Sequence, residues 1–273
     1  MRSHEPLFWL GAAEIEIRRD EAYCFDCANR FDRPHVVFQM TLEGCGFYTR
    51  AQRRQMLSAN TAFIDVIPGP FQYGYAKESP EPYRLAYVSL VGPVAIRWMR
   101  RIHATFGRVL DFGQDHTVAD QITAMAGQYA QGVPLDRYQA SAVAYAFIMQ
   151  IHSVLMRSRI EQATRVRQAT ALIESHGRDP RFGVGQLARE LDCSREHLAR
   201  QFHEATGISP STYLSQHRLG LAARELRSGS EKLDVVARRC GFSGANYFCR
   251  SFRQRWGITP AQYRAAPGML LLP

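Results

Sequence analysis

The sequence predicts an α+β protein of two domains: a front half of short strands with trailing helices, and an all-helical back half. The main observation is a duplication. Leu187-Ala188-Arg189, Cys193-Ser194, Leu198, Arg200, Phe202, Gly207-Ile208-Ser209-Pro210 and Tyr213 recur as Val236-Ala237-Arg238, Phe242-Ser243, Phe248, Arg250, Phe252, Gly257-Ile258-Thr259-Pro260 and Tyr263. The offset is 49 residues up to the serines and 50 beyond them, so one extra residue sits at the start of the second copy's later helix. Six positions are identical at offset 50: Arg, Phe, Gly, Ile, Pro and Tyr. The second observation is a run of short alternating apolar segments in the front half. The third is charge: residues 1–160 hold 17 Lys and Arg against 15 Asp and Glu, and residues 161–273 hold 17 against 10. Most of the net +9 therefore lies with the duplication, as a surface that meets a polyanion requires, although a solvated basic surface has the same composition.

A chain of 273 residues suffices for two ordinary domains. No run of 18 apolar residues suggests a membrane span. Glu5, Glu14 and Glu16 interrupt any basic-then-apolar leader, so a cytoplasmic location is expected. Cys24 and Cys27 form a C-x2-C pair, but no second pair or His pair completes a zinc site. On a strand over 22–28 their side chains point to opposite faces, which suits structural cysteines.

Residues 1–20 are weakly patterned and fit an arm or a first strand. From His35 to Leu42 alternation is strict, with Val36, Phe38, Met40 and Leu42 on one face and Val37, Gln39 and Thr41 on the other; this is a half-buried strand. Glu43-Gly44-Cys45-Gly46 is a turn and Phe47 to Ala51 a return strand. Ala62 to Ile67, Gln72 to Tyr75 and Tyr83 to Leu90 complete a set that suggests a small β-barrel or sandwich.

Helical spacing begins after Gly92-Pro93, with Val94, Trp98, Met99 and Ile102 on one face and Pro93 in the tolerated first turn. Thr117 suits the N-cap of a helix carrying Val118, Ile122, Met125 and Tyr129. A longer helix runs from about Leu135 to Arg159 with Ala140, Ala144, Phe147, Ile151 and Leu155 in one stripe. That stripe suits equally the domain's own core and a dimer surface. Residues 160–167 are polar without Gly or Pro, a boundary that can itself be helical, and divide a front domain 1–160 from a back domain 161–273.

In the back half, Val166, Ala169, Leu172 and Ile173 face the core of a first helix ending near His176-Gly177. Gln186 to Leu191 is a short helix, Asp192-Cys193 a turn, and Ser194 the N-cap of a helix to about Thr206. Leu198 and Phe202 face inward, leaving Arg195, Glu196, Ala199, Arg200 and His203 outward, the pattern of a helix-turn-helix. In the second copy Ser243 opens a helix through about Trp256. There Phe248 and Phe252 face in, and Ala245, Asn246, Cys249, Arg250 and Arg253 face out. Pro210 to Ser228 reads as one helix spanning about 28 Å. Successive major grooves on one DNA face are about 34 Å apart.

Gly241-Phe242-Ser243, Tyr247-Phe248-Cys249-Arg250-Ser251-Phe252-Arg253 and Trp256-Gly257-Ile258-Thr259-Pro260-Ala261-Gln262-Tyr263-Arg264 resemble the signature of AraC/XylS-type bacterial transcription regulators. Arg218-Leu219, Ala222 and Leu226 match that family's linker helix, with Glu225 where a Leu is common. The resemblance covers about residues 165–264. More loosely, His35, the Glu43-Gly44 turn and Ile67-Pro68-Gly69 resemble the cupin-like sensing domains of such regulators, which implies a cupin-like β-barrel in front.

The resemblance further implies a sequence-specific DNA-binding regulator whose front domain senses a small molecule, dimerises, or both. Its partners would be double-stranded promoter DNA, a small-molecule effector, a second copy of itself and, in an activator, RNA polymerase; it implies no cofactor and no membrane. By the same resemblance the base-reading positions are Arg195, Glu196, Ala199 and Arg200, then Ala245, Asn246, Cys249 and Arg250. Arg can fork onto guanine, Asn onto adenine, and Glu can accept from cytosine, each good pair giving about 1–3 kcal/mol. Arg200, Arg250, Glu196 and Asn246 are therefore expected to carry most direct readout. Ser194 and Ser243 could hold phosphates or merely cap their helices.

A metal-dependent enzyme on a cupin barrel would need an H-x-H pair, and residues 1–92 hold only His4 and His35. A cupin-type enzyme domain fused to a DNA-binding domain is thus the weaker alternative, and a thiol switch at Cys249 or Cys193 a third. Tyr48, Tyr73, Tyr75 and Tyr87 could line an effector pocket, with Arg84 pairing an acidic ligand, or simply fill the barrel.

Overall fold

The structure is a computed structural model that describes residues 7–20, 22–30, 33–79, 81–132 and 134–266. Residues 1–6 of the expected arm, with His4, lie outside the described residues. The front half contains β1 (Trp9–Arg18), β2 (Cys24–Asp26), β3 (His35–Glu43), β4 (Gly46–Arg50), β5 (Arg53–Leu57), β6 (Thr61–Ile67), β7 (Phe71–Tyr75) and β8 (Tyr83–Val91). Then come α1 (Pro93–Phe106), β9 (Val109–Asp111) and α2 (Thr117–Ala130). A 40-residue helix, α3 (Arg137–His176), follows. The back half continues with α4 (Val184–Glu190), α5 (Arg195–Thr206), α6 (Pro210–Ser228), α7 (Leu233–Arg239), α8 (Ala245–Trp256) and α9 (Pro260–Ala265). The chain divides into two compact units, residues 1–158 and 159–273, and the division falls within α3.

The strands form two antiparallel sheets, ordered β1-β8-β3-β6-β9 and β2-β7-β4-β5. Neither closes on itself, which corrects the expected cupin-like β-barrel. The reason lies in the central strands. On β3, Val36, Phe38 and Met40 pack with Ala62, Ile64, Ala86 and Val88 against the helices. The alternate residue Val37 packs with Phe63, Ile67 and Leu85 against Tyr48, Leu57, Phe71 and Tyr73 of the smaller sheet. Both faces of the larger sheet are thus covered, one by helices and one by the second sheet, so it remains an open middle layer with β1 and β9 as its edges.

The half-buried strand expected at 35–42 is consequently buried on both faces. Gln39 is 2% exposed and Thr41 0%. Their polar groups are satisfied between the sheets: Gln39 Nε2 donates to Tyr83 Oη at 3.1 Å, and Thr41 Oγ1 to the Leu57 carbonyl at 3.1 Å. Asp65 is held in the same layer by the Tyr48 hydroxyl at 2.7 Å, Arg50 at 2.9 Å and Arg108 at 2.8 Å. The strand expected over 22–28 is only β2, followed by a 3-10 turn at Cys27–Asn29 capped by Asp26. Cys24 is exposed, Cys27 is buried and both thiols are free.

The three front helices bury most of the stripes read from the sequence: Met99 and Ile102, then Val118, Ile122 and Met125, then Ala140, Ala144, Phe147, Ile151 and Leu155. Val94 and Trp98 are half-buried, and Tyr129 is exposed, its hydroxyl donating to the Gly11 carbonyl at 2.8 Å. The stripe of α3 is therefore occupied by its own domain's core and is not a dimer surface. By length and composition α3 is also the one helix among the described residues able to cross a membrane. Helix α2 is preceded by His116 rather than capped by Thr117. No break separates the expected helix over 135–159 from the one after it, so the polar residues 160–167 are helical.

Two front-half histidines are held neutral by burial, which lowers the pKa of each below the ordinary 6.5. His103 Nε2 donates to the Ile64 carbonyl at 2.7 Å. His152 lies edge-on to Trp98 and Phe106. Each binds its proton more weakly in the folded chain than in the unfolded one. The stability these sites confer is present above pH 6.5 and is lost as the pH falls below it. Thermal unfolding is expected at a lower temperature at about pH 5.5 than at about pH 7.5, and the double variant His103→Gln/His152→Phe should narrow that difference. An unchanged difference would place the acid sensitivity elsewhere.

Candidate nucleic-acid interface

In the first helix-turn-helix unit, α4 and α5 are joined by a turn in which Asp192 takes a positive φ of 48°. Ser194 caps α5, its hydroxyl accepting from the His197 amide at 3.1 Å. Leu198 and Phe202 enter a core with Leu187, Ala188, Ala169, Ile173, Phe182 and Leu214. Arg195, Glu196, Arg200 and His203 are exposed on the opposite side, and Ala199 is half-buried between them. Residues from α3 brace this helix: Arg165 Nη1 donates to Gln201 Oε1 at 2.7 Å and to His197 Nε2 at 3.2 Å, and Gln162 Nε2 to Glu204 at 3.0 Å.

The second unit repeats the plan. Phe248 and Phe252 of α8 pack with Val236, Ala237, Phe242, Tyr263 and the α6 residues Leu219, Ala222 and Leu226. Asn246, Arg250 and Arg253 are exposed, while Ala245 and Cys249 are half-buried, Cys249 packing against the unit's core. Gly207 and Gly257 end the two later helices in matching left-handed conformations, φ 76° and 75°. The repeat fails at the second cap. Gly244, the inserted residue, takes the N-cap position with no side-chain bond, so Ser243 does not open α8. Ser243 remains exposed beside the helix start.

Besides α6, which enters both cores, a turn following α3 ties the two units together. Arg218, midway along α6, donates from Nε to the Gly177 carbonyl at 2.7 Å and from Nη2 to those of Asp179 and Phe182 at 2.9 and 2.7 Å. Gly241, between α7 and α8, closes on this turn with φ +87°; a Cβ there would meet the Gly177 carbonyl oxygen and sit 2.7 Å from Arg218 Nε. Glu225 joins the same assembly. Its Oε1 lies 2.9 Å from Arg178 Nη1 and its Oε2 3.9 Å from Arg239 Nη1. An acid at this linker-helix position therefore has two cationic neighbours, one from the turn and one from α7.

Burial pushes the thiols of Cys193 and Cys249 above the ordinary cysteine value. That disfavours the thiolate through which oxidation proceeds, and counts against a thiol switch at either position.

The front half has a cavity of about 320 Å³ at one end of the inter-sheet layer. Tyr73 and Tyr87 line it. The other expected residues do not: Tyr48 is buried on Asp65, the Tyr75 hydroxyl donates to the Ser79 carbonyl at 3.1 Å, and Arg84 pairs with Glu43 at 2.8 Å. The cavity's remaining polar lining, Glu16, Tyr23, Arg30, His35, Gln39 and Ser89, went unpredicted. A signal for part of it existed. His35 and Gln39 share one face of β3, and Gln39 lies opposite Tyr87 in the ladder with β8. Among the described residues no group of three or more His, Cys, Asp or Glu is placed to hold a metal ion.

The fold and site define a two-unit protein with a sheet-based front domain and a duplicated helix-turn-helix. Comparison with known families matches residues 26–148 to the AraC-like ligand binding domain and residues 187–266 to a helix-turn-helix domain. The chain belongs to the AraC/XylS family of helix-turn-helix transcription factors with a ligand-binding front domain. It is 28% identical over 155 residues to the HTH-type transcriptional activator RhaS of Escherichia coli O139:H28 (strain E24377A / ETEC), 55% of each protein. The chain thus spans about half the length of the curated relatives it matches. Among solved structures, the DNA-binding domain of AdpA in complex with a target DNA is 34% identical, covering 37% of this chain and 90% of that one, with TM-score 0.35. The C-terminal domain of AraT, a response regulator from Geobacillus stearothermophilus, is 28% identical over 40% and 88%, with TM-score 0.37.

Arg218→Ala would strand three backbone carbonyls and is expected to destabilise the back half by about 2–3 kcal/mol. The exposed Arg253→Ala should stay within about 0.5 kcal/mol of the parent. Urea unfolding followed by tryptophan fluorescence at Trp256 checks both.

Proposed function

We propose that this protein is a sequence-specific DNA-binding regulator of transcription that responds to a small-molecule effector. The observation that carries the reading is the pair of matching helices, α5 and α8, each with a basic outer face and joined through the 19-residue α6. The two helices enter adjacent major grooves on one face of the duplex. Arg195, Glu196, Ala199 and Arg200 meet one groove; Ala245, Asn246, Cys249, Arg250 and Arg253 meet the next. Arg200 and Arg250 fork onto guanine, Asn246 onto adenine, and Glu196 accepts from cytosine. Ser194 and Ser243, near the two helix starts, lie against phosphates.

The front domain, residues 1–160, is the sensing and dimerisation domain, and 161–273 the DNA-binding domain. Its effector site is the polar cavity that Tyr73 and Tyr87 line. The protein works as a homodimer in the cytoplasm, is not an enzyme, and contacts RNA polymerase where it activates. Genome-wide footprinting tests the reading: discrete sites with two boxes one helical turn apart support it, and diffuse occupancy would reduce the back half to an electrostatic tether. On such a site Arg200→Ala and Arg250→Ala should each cost about 1–3 kcal/mol and relax specificity at one base pair. A loss uniform across sequences, measured by competition binding, would demote them to phosphate contacts.

A further inference from the structure

The two helix-turn-helix units differ in what covers the side of the later helix. In the first, Arg165 and Gln162 of α3 reach across to His197, Gln201 and Glu204 of α5. At offset 50 those α5 positions correspond to Tyr247, Ser251 and Gln254 of α8. The helix that supports the second unit is α6, whose core residues Leu219, Ala222 and Leu226 repeat the spacing of Val166, Ala169 and Ile173 in α3. The positions equivalent to Gln162 and Arg165 are then Ser215 and Arg218. Ser215 is too short to reach α8, and Arg218 is engaged with the turn after α3. The result is an open groove of about 680 Å³ between α6 and α8.

Its lining is suited to an anion. Arg250 and Arg255 come from α8, with Tyr247, Ser251 and Gln254 beside them, and Ser211, Thr212, Ser215, Gln216 and Leu219 from α6; among the described residues no carboxylate lines it. All but Leu219 are side-chain types that hold DNA phosphates, and they carry no sequence information in that role. We infer that this groove receives the sugar-phosphate backbone of one DNA strand where it passes between the two major grooves, with Arg255 as a phosphate contact. The inference rests on the DNA-reading proposal above and adds a positioning surface that the first unit lacks, because α3 fills its equivalent.

The test uses the full-length protein and a duplex from its own footprinted site, with a scrambled duplex alongside, titrated across a range of salt concentrations. Arg255→Gln should weaken binding to both duplexes by the same factor and reduce the slope of log K against log salt by about 0.9. Arg255→Lys, which keeps the charge, should restore the slope. A single neutral methylphosphonate placed between the two boxes should weaken the parent and leave Arg255→Gln unaffected. If the parent discriminates the two duplexes but Arg255→Gln matches it in slope and affinity, the groove inference fails alone. It fails equally if Arg255→Gln changes the preference between duplexes. If the parent does not discriminate them, the DNA-reading proposal fails and takes this inference with it.

Discussion

Arg218 and the turn it holds determine how the back half can present two surfaces at once. A helix-turn-helix unit on its own has a small core: in each, two inward residues of the later helix meet a few apolar side chains from its neighbours. Leu214 of α6 enters the first core and Leu219, Ala222 and Leu226 the second, so α6 sets the face each unit packs on, and a direct tie between the units reinforces that setting. The guanidinium of Arg218 supplies that tie by binding three carbonyls of a turn that belongs to the first unit, while Gly241 brings the second unit's own turn against it. An arginine suits this place because its donors leave in a fixed planar fork, whereas a lysine would offer a single flexible point charge. Glu225 adds a tie from α6 to Arg178 in that turn and to Arg239 in α7, so a departure from the family's apolar pattern becomes part of the attachment.

Much of this half could be read from the sequence, because its signals are local. Capping residues, the Gly-Ile-(Ser/Thr)-Pro punctuation and i, i+4 aromatic pairs act within one or two turns of helix. The bounds of α6 follow from Ser209 and Pro210 at one end and the Gly229 break at the other. The cap of α8 departs from its local signal: Ser243 aligns with the true N-cap Ser194, but the inserted Gly244 takes the capping position in the backbone. The Arg218 contacts were invisible, since they join residues about 40 positions apart through carbonyls that every residue possesses.

The front half was less legible because its decisive feature is which layer covers which face. Strand positions from 35 to 90 followed from the apolar pattern except β5, whose Arg53-Arg54-Gln55-Met56-Leu57 is too polar and exposed to give that signal. Alternation also suggested that Gln39 and Thr41 face water, and they do not. A buried polar face satisfied by cross-strand partners looks in sequence like an exposed one. Likewise β1 was obscured because Ile15 and Ile17, its most apolar alternating pair, are on the exposed side of an edge strand. The open sheets and the polar cavity lining both follow from that covered middle layer.

The composition of the outer helix faces fits the same logic of spacing. Ala199 on α5, and Ala245 and Cys249 on α8, are small and half-buried, set among longer exposed side chains. A bulky residue at these points would hold the helix axis away from a groove floor and leave the long side chains reaching through water. On the DNA-reading proposed above, small residues at these positions would let the backbone approach, so that Arg200 and Arg250 could meet base edges with their forks rather than their stems. In that proposal the residues that cannot fork onto a base would set the depth at which their neighbours can.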